Sequence, residues 1–370
     1  MRVTIRDVAR SAGVSIQTVS AVLNGKPGIS PPTVDKVRRA VAALGYQPNL
    51  LAGSLRSRRS TTIGLLLSNV ANAYFAEMAR GVEDIAQARG YSVILCNHDD
   101  DPVKKAAYVT LLQQYQVVGI IGRGAEEPVA RREGDDGAVA SSSYPIYPIF
   151  VDCHAVDNRR GGYVATAHLL DLGHQRIGCV TGPLPDGPAG ERLRGYKQAL
   201  ADWSIPLDEG LIVEGAFDFA SGRRAARLLL ERGRRPTAIF AHNDLMAIGV
   251  IANLTRAGLR VPDDIAVIGY DGTEIAALYD PPLSTVAQPT YELGAHAMTA
   301  LADQIEGHVA VPERDLPDCA LIVRHSTVPG LDGERHCGPI GAERPWVVWR
   351  EEEVEVMSNT ARRGTISLPS

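Results

Sequence analysis

The sequence predicts an α/β protein in two parts, a small all-helical head and a larger body of two α/β lobes. Three short amphipathic segments, separated by capping residues, fill the first 46 residues. From residue 61 onwards, short apolar runs alternate with amphipathic helical segments. This alternation is typical of parallel sheets covered by helices, and the strands are too many for one small sheet. We therefore expect a head at 1–46, a linker at 47–61, a body at 62–328 and a C-terminal extension at 329–370.

The first two predicted helices form a helix-turn-helix pattern. They occupy the stretch TIRDVARSAGVSIQTVSAVLNG, in which Thr4 is placed to cap the first helix and Gly13 ends it. Ser15 is placed to cap the second helix, which Asn24 and Gly25 end. Two helices of about two turns each, joined by a tight glycine-containing turn, are the usual form of this DNA-binding motif.

A third helix is predicted between Ser30, as its N-cap, and Gly45, as its stop. Its apolar residues Val34, Val37 and Val41 recur at helical spacing. Three such short helices can close one small hydrophobic core.

The head is far more basic than the rest of the chain. Residues 1–60 contain ten lysines and arginines but two acidic residues, a net charge of +8. The whole chain carries −5, which leaves −13 on the remaining 310 residues. A basic module on an acidic body favours a polyanionic partner for the head alone, and a merely solvated surface is the alternative.

The outward face of the second helix carries side chains suited to reading DNA. Gln17 can bond a base edge, while Ile16 and Ala21 can touch thymine methyl groups. Ser15 and Thr18 lie at the helix N-terminus, where phosphates are readily held. The alternative is a surface helix that reads nothing.

The linker YQPNLLAGSLRSRRSTT is predicted to be a marginal helix. Pro48 and Asn49 can start it, and Leu51 and Leu55 share a face, but Gly53 and the flanking serines weaken it. A segment that folds only on a partner is suited to couple two domains. The alternative is a flexible basic tether.

The stretch TIRDVARSAGVSIQTVSAVLNG, followed by GYQPN at 45–49, resembles the N-terminus of the lactose-repressor (LacI/GalR) family of bacterial transcription regulators. The resemblance implies that Ile16, Gln17 and Ala21 read bases, although many members have arginine at the position of Ala21. It also implies a hinge helix that pairs across a dimer and wedges Leu55 into the minor groove. The expected DNA contacts are Thr4, Ser15, Ile16, Gln17, Thr18, Ser20, Ala21, Asn24, Asn49 and Leu55.

Polar residues end several predicted strands of the body, where a ligand would lie in a cleft between two lobes. Asp152 follows IFV, Asn243 and Asp244 follow IFAH, and Asp271 follows IGY. Carboxylates and amides at such positions match the hydroxyl groups of a carbohydrate, and aromatic rings cover its apolar face.

The same family resemblance extends through residues 61–328, in VDNRRGGYVATAHLLDLGHQRIGCVTGP, AIFAHNDLMAIG and DDIAVIGYDGTEIAALYDPPLSTVAQP. These stretches resemble its effector-binding core, which is related to periplasmic sugar-binding proteins. The implied effector contacts are Tyr74, Phe75, Asp152, Arg192, Phe217, Asn243, Asp271 and Gln288. Alternatively, Asn243 and Asp271 cap the helices that follow them, and Tyr74 and Phe75 belong to the core.

Catalytic and metal-binding motifs are absent from the sequence. It has no GxSxG, P-loop, HExxH or GxGxxG pattern. CNHDDD at 96–101 groups a histidine with three aspartates, but adjacent residues of one loop cannot all converge on an ion. We therefore expect no catalytic residues, no metal site, no cofactor and no enzymatic activity.

Composition indicates a cytoplasmic protein, and the family resemblance implies that it is associated with the bacterial nucleoid. The five cysteines are scattered without a CxxC pair, which fits a reducing compartment. The N-terminus lacks the apolar stretch of a signal peptide, and no apolar run approaches the ~20 residues of a membrane span.

Together these patterns predict a sequence-specific transcriptional repressor, a homodimer on a near-palindromic operator, controlled by a small molecule such as a sugar. One alternative is a solute-binding protein, which would need export. Another is an α/β enzyme of sugar metabolism, which would need a base or nucleophile in the cleft. Two regions carry no functional prediction: 123–144, a predicted loop or insert, and 330–370, a predicted strand-like arm or disordered tail.

Overall fold

The chain divides into two compact units, Met1–Thr61 and Thr62–Ser370, each with its own hydrophobic core. The computed structural model describes residues 3–23, 25–46, 60–122, 147–149, 156–184, 187–232, 235–308, 318–331, 333–337 and 348–349. Within these ranges, no helix combines the length and apolar character that a membrane span needs.

The first unit is a bundle of three helices, α1 (Ile5–Ala12), α2 (Ile16–Leu23) and α3 (Pro31–Leu44). Each helix contributes one fully buried valine, Val8, Val19 and Val37, to a common core. Gly13 and Gly45 follow α1 and α3 in the left-handed conformation, with φ of 66° and 58°. This conformation suits glycine and ends both helices where the sequence predicted.

Two of the three predicted N-caps of the first unit, Thr4 and Ser15, have hydrogen-bonded side chains at the helix start, whereas Ser30 stands at the N-cap of α3 without a side-chain capping hydrogen bond. The backbone nitrogen and the hydroxyl of Thr4 both donate to the Asp7 carboxylate, at 3.0 and 2.7 Å. The Ser15 hydroxyl accepts a hydrogen bond from the backbone nitrogen of Thr18 at 3.0 Å. These side chains satisfy groups that a helix terminus leaves open, so they fix where α1 and α2 begin.

The second unit contains two sheets with helices packed on their faces. Its helices are α4 (Ala73–Ala88), α5 (Pro102–Gln114), α6 (Asn158–Asp171), α7 (Gly187–Asp202), α8 (Phe219–Glu231), α9 (Asp244–Arg256), α10 (Glu274–Leu278) and α11 (Thr290–Glu306). Its strands are β1 (Thr62–Leu67), β2 (Ser92–Asn97), β3 (Gly119–Gly122), β4 (Tyr147–Ile149), β5 (Ile177–Thr181), β6 (Ile212–Glu214), β7 (Ala238–Ala241), β8 (Ala266–Asp271), β9 (Ser284–Ala287), β10 (Ala320–Val323), β11 (Arg335–Cys337) and β12 (Val348–Trp349).

The first sheet has the order β2-β1-β3-β4 and is parallel throughout. Ile63 and Leu65 of β1 pack with α4 and α11 on one face, whereas Leu66 packs with Leu112 of α5 on the other. Successive strand residues point to opposite faces, so a sheet covered on both sides has an almost continuous apolar strand.

The second sheet has the order β12-β11-β10-β9-β8-β7-β5-β6. It is parallel from β6 to β9, but β10 is antiparallel to β9, and β11 and β12 continue antiparallel. The expectation of purely parallel sheets is therefore wrong for this edge. The chain leaves β9 for α11, which packs on the first sheet, and then returns along β9 in the opposite direction.

The predicted two-lobed α/β architecture is confirmed. The apolar runs of the body, at 63–67, 92–96, 117–121, 149–152, 176–182, 238–244 and 265–271, correspond to strands β1, β2, β3, β4, β5, β7 and β8. The run at 149–152 meets β4 at Ile149 alone, since residues 150–155 lie outside the described part. The predicted linker at 47–59 and the insert at 123–144 lie outside it as well.

Three helix pairs approach each other closely at reciprocal glycines. A methyl group at Gly294 of α11 would collide with the carbonyl oxygen of Met78 in α4. Equivalent collisions occur at the partner positions, so the helix backbones are in direct contact. The pairs are Gly81–Gly294 for α4 and α11, Gly162–Gly195 for α6 and α7, and Gly222–Gly249 for α8 and α9.

Candidate functional site

A cavity of about 120 Å³ lies in the second unit, at the carboxyl ends of strands from both sheets. Its wall includes the end of β1 and the residues after it, Asp100 after β2, Asn243 after β7, and Asp271 at the end of β8. One water molecule needs ~10–15 Å³ of such space. The cavity therefore has room for a small organic molecule.

Seven of the eight side chains expected to contact an effector line this cavity. They come from six places that are distant in the sequence, namely α4, α7, the end of β8 and the segments that follow β6, β7 and β9, and the fold brings them together. The seven residues are Tyr74, Phe75, Arg192, Phe217, Asn243, Asp271 and Gln288. The eighth, Asp152, lies outside the described residues.

Among the lining residues that the structure describes, Arg192 is the cation, and it is almost completely buried. Its Nε donates to Asn158 Oδ1 at 2.9 Å, and its Nη1 donates to the carbonyl oxygen of His242. The guanidinium lies over the Tyr270 ring, 3.6 Å from the ring centroid, and Nη1 is 3.9 Å from Asp271 Oδ1. A planar guanidinium held on several sides presents its remaining donors in a fixed direction.

Asp271 is a buried carboxyl group in a strained backbone position. Its φ is 113°, which is rare for a residue other than glycine, and strain of this kind is common at binding sites. Gln288 Nε2 donates to Asp271 Oδ1 at 2.8 Å. Burial is the main reason that the pKa of Asp271 is raised to about 8; Asp244 acts in the same direction, whereas Arg192 and the hydrogen bond from Gln288 lower it. Since Thr273 is the N-cap of α10, the alternative of a capping role for Asp271 is wrong.

Asp244 is a second buried carboxyl group behind Asp271. Its oxygens accept hydrogen bonds from the Thr285 hydroxyl at 2.6 Å and from the backbone nitrogen and hydroxyl of Thr273, both at 2.8 Å. Burial raises the pKa of Asp244 to about 6, while these donors act in the opposite direction. Asp244 thus ties α9 to β9 and to the start of α10.

Asn243 has a structural role as well as a place in the cavity wall. Its Oδ1 accepts from the backbone nitrogen of Met246 at 2.9 Å and caps α9. Its Nδ2 donates to the carbonyl oxygen of Phe217 at 3.0 Å, where φ is 57°. The capping alternative is therefore correct for Asn243, and the same side chain also orients the loop that brings Phe217 to the cavity.

Tyr74 and Phe75 form the aromatic side of the cavity. Their rings meet edge to face with centroids 5.1 Å apart. Tyr74 packs against the core of the second sheet and Phe75 against that of the first, so both also belong to the core. Such half-buried rings give an apolar wall on which the C–H face of a ligand can rest.

Several lining residues that follow β1 and β2 were not predicted from the sequence. They are polar side chains at strand ends, the same signal that identified Asn243 and Asp271. The missed polar residues are Ser68, Asn69, Asn72 and Asp100. Asp100 belongs to CNHDDD, whose sequence pattern suggested no role other than a metal site.

The acidic residues of CNHDDD diverge, as expected. Asp99 binds Lys104 Nζ at 2.6 Å, and Asp101 caps α5 by accepting from the Val103 backbone nitrogen at 2.8 Å. His98 Nδ1 accepts from the backbone nitrogen of Asp100 at 3.1 Å. The loop is therefore held by protein contacts and has no common point for an ion.

A different group of possible metal ligands, Asp303, Glu306 and His308, lies at the end of α11. Arg89 already binds Asp303 at 2.9 Å and Glu306 at 2.8 Å. The group is thus an ion-pair network between the end of α4 and the end of α11.

The first unit presents part of the predicted DNA-binding surface. Ile16 and Gln17 are exposed on α2, and Ser20 and Ala21 are partly exposed. The remaining predicted contacts of the described part are Thr4, Ser15 and Thr18, which lie at the helix N-termini. Asn24, Asn49 and Leu55 lie outside the described residues.

Each of the two units matches a known protein family. Residues 4–49 match the family described as bacterial regulatory proteins, lacI family, and residues 166–327 match the periplasmic binding protein-like domain. The transcriptional regulator DegA of Bacillus subtilis (strain 168) is 37% identical over 338 residues, 89% of this chain and 99% of the relative.

Two further relatives link the chain to repressors. The ribose operon repressor of Escherichia coli (strain K12) is 40% identical over 312 residues, 82% of this chain and 93% of the relative. The solved structure of the Lac repressor dimer bound to operator and the anti-inducer ONPF has a TM-score of 0.74 at 31% identity. It covers 88% of this chain and 99% of the repressor. This chain is therefore a member of the lacI family of bacterial regulatory proteins, a DNA-binding transcriptional regulator with a helix-turn-helix unit and a small-molecule-binding body.

Proposed function

We propose that this regulator binds a near-palindromic operator as a homodimer and that a carbohydrate in the cavity of the second unit controls its binding. The proposal rests on finding a DNA-binding type of surface and a ligand cavity in the same chain. A basic three-helix unit exposes Ile16 and Gln17 on α2, and a separate unit encloses a polar cavity with an aromatic wall. Reading DNA and sensing a small molecule are thus assigned to different units.

The DNA contact is proposed to follow the usual geometry of the helix-turn-helix. The second helix lies in the major groove, where Gln17 meets a base edge and Ile16 and Ala21 meet apolar groups. Ser15 and Thr18 at the start of α2 hold phosphates, and exposed basic side chains such as Arg6 add to the attraction. Asn49 and Leu55 of the linker 47–61 are proposed to contact the operator centre.

Exposed apolar side chains on both lobes support the homodimer. In the second lobe, which is the part of the second unit built on the second sheet, Ile275 and Leu278 of α10 are 44% and 76% exposed. In the first lobe, Val103 of α5 and the following Tyr115 are 76% and 55% exposed. A two-fold axis would cover such side chains with the same surface of the second copy, as in most homodimers. The related Lac repressor structure contains a dimer bound to operator.

The chemistry of the cavity supports a carbohydrate as the effector. Arg192, Asn243 and Asp271 offer donors and acceptors for vicinal hydroxyl groups, and Tyr74 and Phe75 offer an apolar wall. One of the relatives is named ribose operon repressor. We infer binding without turnover, because the relatives are regulators, and we infer that the protein acts on the bacterial nucleoid, where its operators lie.

Selection from random double-stranded DNA at near-physiological salt tests the operator proposal with the full-length protein. The expected product is a palindrome of ~14–20 base pairs with half-sites about one helical turn apart. Gln17→Ala should relax the preference at one position in each half-site and cost ~1–3 kcal/mol there. Gln113→Ala, an exposed glutamine of the second unit, is the matched control and should retain the wild-type motif.

Sequence-independent binding that is lost on adding salt would contradict the operator proposal. An unchanged motif with Gln17→Ala would leave operator binding intact but remove Gln17 from the set of base-reading residues.

A further inference from the structure

The chain continues past the matched periplasmic binding protein-like domain, which ends at residue 327, and folds onto the second lobe. Leu331 is buried in the core that α6 and α7 share with the second sheet. Its carbonyl oxygen accepts a hydrogen bond from the His325 side chain. Arg335–Cys337 then pair as β11 with β10. Residues 328–331 and 333–337 are therefore a packed part of this lobe.

Glu334 in this stretch makes an ion pair with Arg324, the residue that follows β10. The Glu334 carboxylate lies 2.6 Å from Arg324 Nε. Arg324 is 6% exposed, whereas the Glu334 side chain is 34% exposed. Removing a guanidinium from water costs free energy unless a counter-charge and hydrogen-bond acceptors replace the solvent. Asp244 also lies near Arg324, but its oxygens already accept hydrogen bonds from Thr273 and Thr285. The buried position of Arg324 therefore depends on Glu334.

Arg324 holds the chain between α10 and β9. Its Nη1 donates to the carbonyl oxygen of Leu283 at 2.8 Å, and its backbone nitrogen donates to the Ser284 hydroxyl at 2.8 Å. The backbone nitrogen of Leu283 donates in the other direction, to the carbonyl oxygen of Ala276 in α10, at 2.7 Å. Leu283 thus joins α10 to Arg324 through its two backbone groups.

The short helix α10 depends on such contacts for its orientation. It has five residues, and a helix of that length is not stable by itself in water. Its N-cap, Thr273, is held by a buried carboxylate, and Ala276 is buried in the core. On the outside of the helix, Ile275 and Leu278 are exposed. The direction in which these two side chains point is therefore set by the neighbours of α10, and the link to Arg324 is one of them.

We propose that Glu334 is a positioning residue that acts through Arg324 to hold α10 in the orientation in which it contacts a second copy of this chain. This inference rests on the proposed homodimer and gives a residue beyond the matched domain a role in it. Without the carboxylate, the guanidinium would turn towards water and release the carbonyl oxygen of Leu283. Ile275 and Leu278 would then sample more orientations, which raises the entropy cost of association.

The test is sedimentation equilibrium of the full-length protein, which measures the dimer dissociation constant. The variants are Glu334→Gln, which removes the charge and keeps the shape, Arg324→Met, which removes the guanidinium, and the double variant. Glu209→Gln is the matched control, because it breaks an exposed ion pair of the same lobe, in which Glu209 lies 3.0 Å from Lys197 Nζ. Circular dichroism and thermal unfolding establish that each variant is folded before its dissociation constant is compared.

We expect Glu334→Gln to raise the dimer dissociation constant about tenfold, a change of ~1.4 kcal/mol in the free energy of association. Arg324→Met should raise it by about the same factor. The double variant should raise it no further, because two residues that act as one unit have non-additive effects. Glu209→Gln should stay within about twofold of the wild-type value, since an exposed ion pair contributes little.

Three results would overturn the inference. A wild-type dissociation constant for Glu334→Gln, with or without a lower melting temperature, would make Glu334 a structural contact alone and leave the homodimer proposal standing. Effects of Glu334→Gln and Arg324→Met that multiply in the double variant would show that Glu334 does not act through Arg324. A wild-type protein that is monomeric at every concentration would remove the homodimer proposal, and the inference with it.

Discussion

At the scale of single residues, the cavity is built from side chains that serve the fold and face the ligand at the same time. Asn243 caps α9 and holds the carbonyl oxygen of Phe217, and Arg192 joins Asn158 to His242. Such shared roles keep the polar groups in fixed positions before a ligand arrives, which lowers the entropy cost of binding. They also mean that truncating these residues changes stability and affinity together.

His168 gives a prediction for pH dependence. It is buried in α6, and its Nε2 lies 2.9 Å from the Thr327 hydroxyl. Burial lowers the pKa of His168 from 6.5 to about 4, so the folded protein holds it neutral. A lowered folded-state pKa contributes stability above pH 6.5, and this contribution is lost as the pH falls towards 4. The free energy of unfolding should fall by up to about 3 kcal/mol over that window.

Urea unfolding at a series of pH values checks this prediction. Tryptophan fluorescence reports on the second unit, because Trp203, Trp346 and Trp349 all belong to it. The stability difference between wild type and His168→Gln should shrink by about 3 kcal/mol from pH 7 to pH 4. Parallel pH curves for the two proteins would show that His168 does not titrate in this way.

At the scale of secondary-structure elements, three helix pairs depend on glycines that let the backbones touch. The pair α4 and α11 is the most informative, because α11 follows β9 of the second sheet but packs on the first. Gly81 and Gly294 form its contact. Close packing of this helix therefore determines how the chain returns to the first lobe.

Gly294→Ala should destabilise the second unit by ~1–3 kcal/mol, since the added methyl group meets the carbonyl oxygen of Met78. Helix propensity alone would predict the opposite sign, a gain of ~1 kcal/mol. Ala300→Gly, at an exposed position of the same helix, is the control. It should lower the free energy of unfolding by ~1 kcal/mol, the difference in helix propensity between alanine and glycine. Thermal unfolding compares the three proteins. A Gly294→Ala protein more stable than wild type would contradict the close contact.

The elements with strong local signals could be predicted from the sequence, and those defined by tertiary contacts could not. The caps Thr4 and Ser15 and the stops Gly13 and Gly45 identify the head helices, and buried apolar runs identify strands such as β1. The strand β6 has three residues and no such run, so it depends on pairing with β5. The antiparallel direction of β10 follows from the path of the chain through α11. No local sequence pattern indicates this path.

The residues of the candidate site also fall into those that the sequence predicted and those that only the fold reveals. Residues at strand ends that match the family pattern, such as Asn243 and Asp271, were predicted and line the cavity. Asn69 and Asn72 carry the same strand-end signal but had no family pattern to single them out. Asp100 was considered only as a possible metal ligand and was set aside, and its place in the cavity wall emerges only from the fold.

At the scale of the whole molecule, the proposed function is a coupling between two units with opposite charge. The head carries +8 on residues 1–60 and the remainder −13, which concentrates DNA attraction on the head. A small molecule in the second unit can alter operator affinity only by the difference in its affinity for the two states. Couplings of this kind are typically ~1–3 kcal/mol, or about 5- to 150-fold in affinity.

The most direct test of the account is to measure this coupling in both directions with the full-length protein. Operator affinity is measured with and without saturating sugar, and sugar affinity is measured with and without saturating operator. The account predicts that both affinities change by the same factor, about 5-fold or more, because linkage between two sites is reciprocal. Operator affinity that is unchanged at saturating sugar would contradict the account, since DNA binding and sugar binding would then be independent properties of the chain.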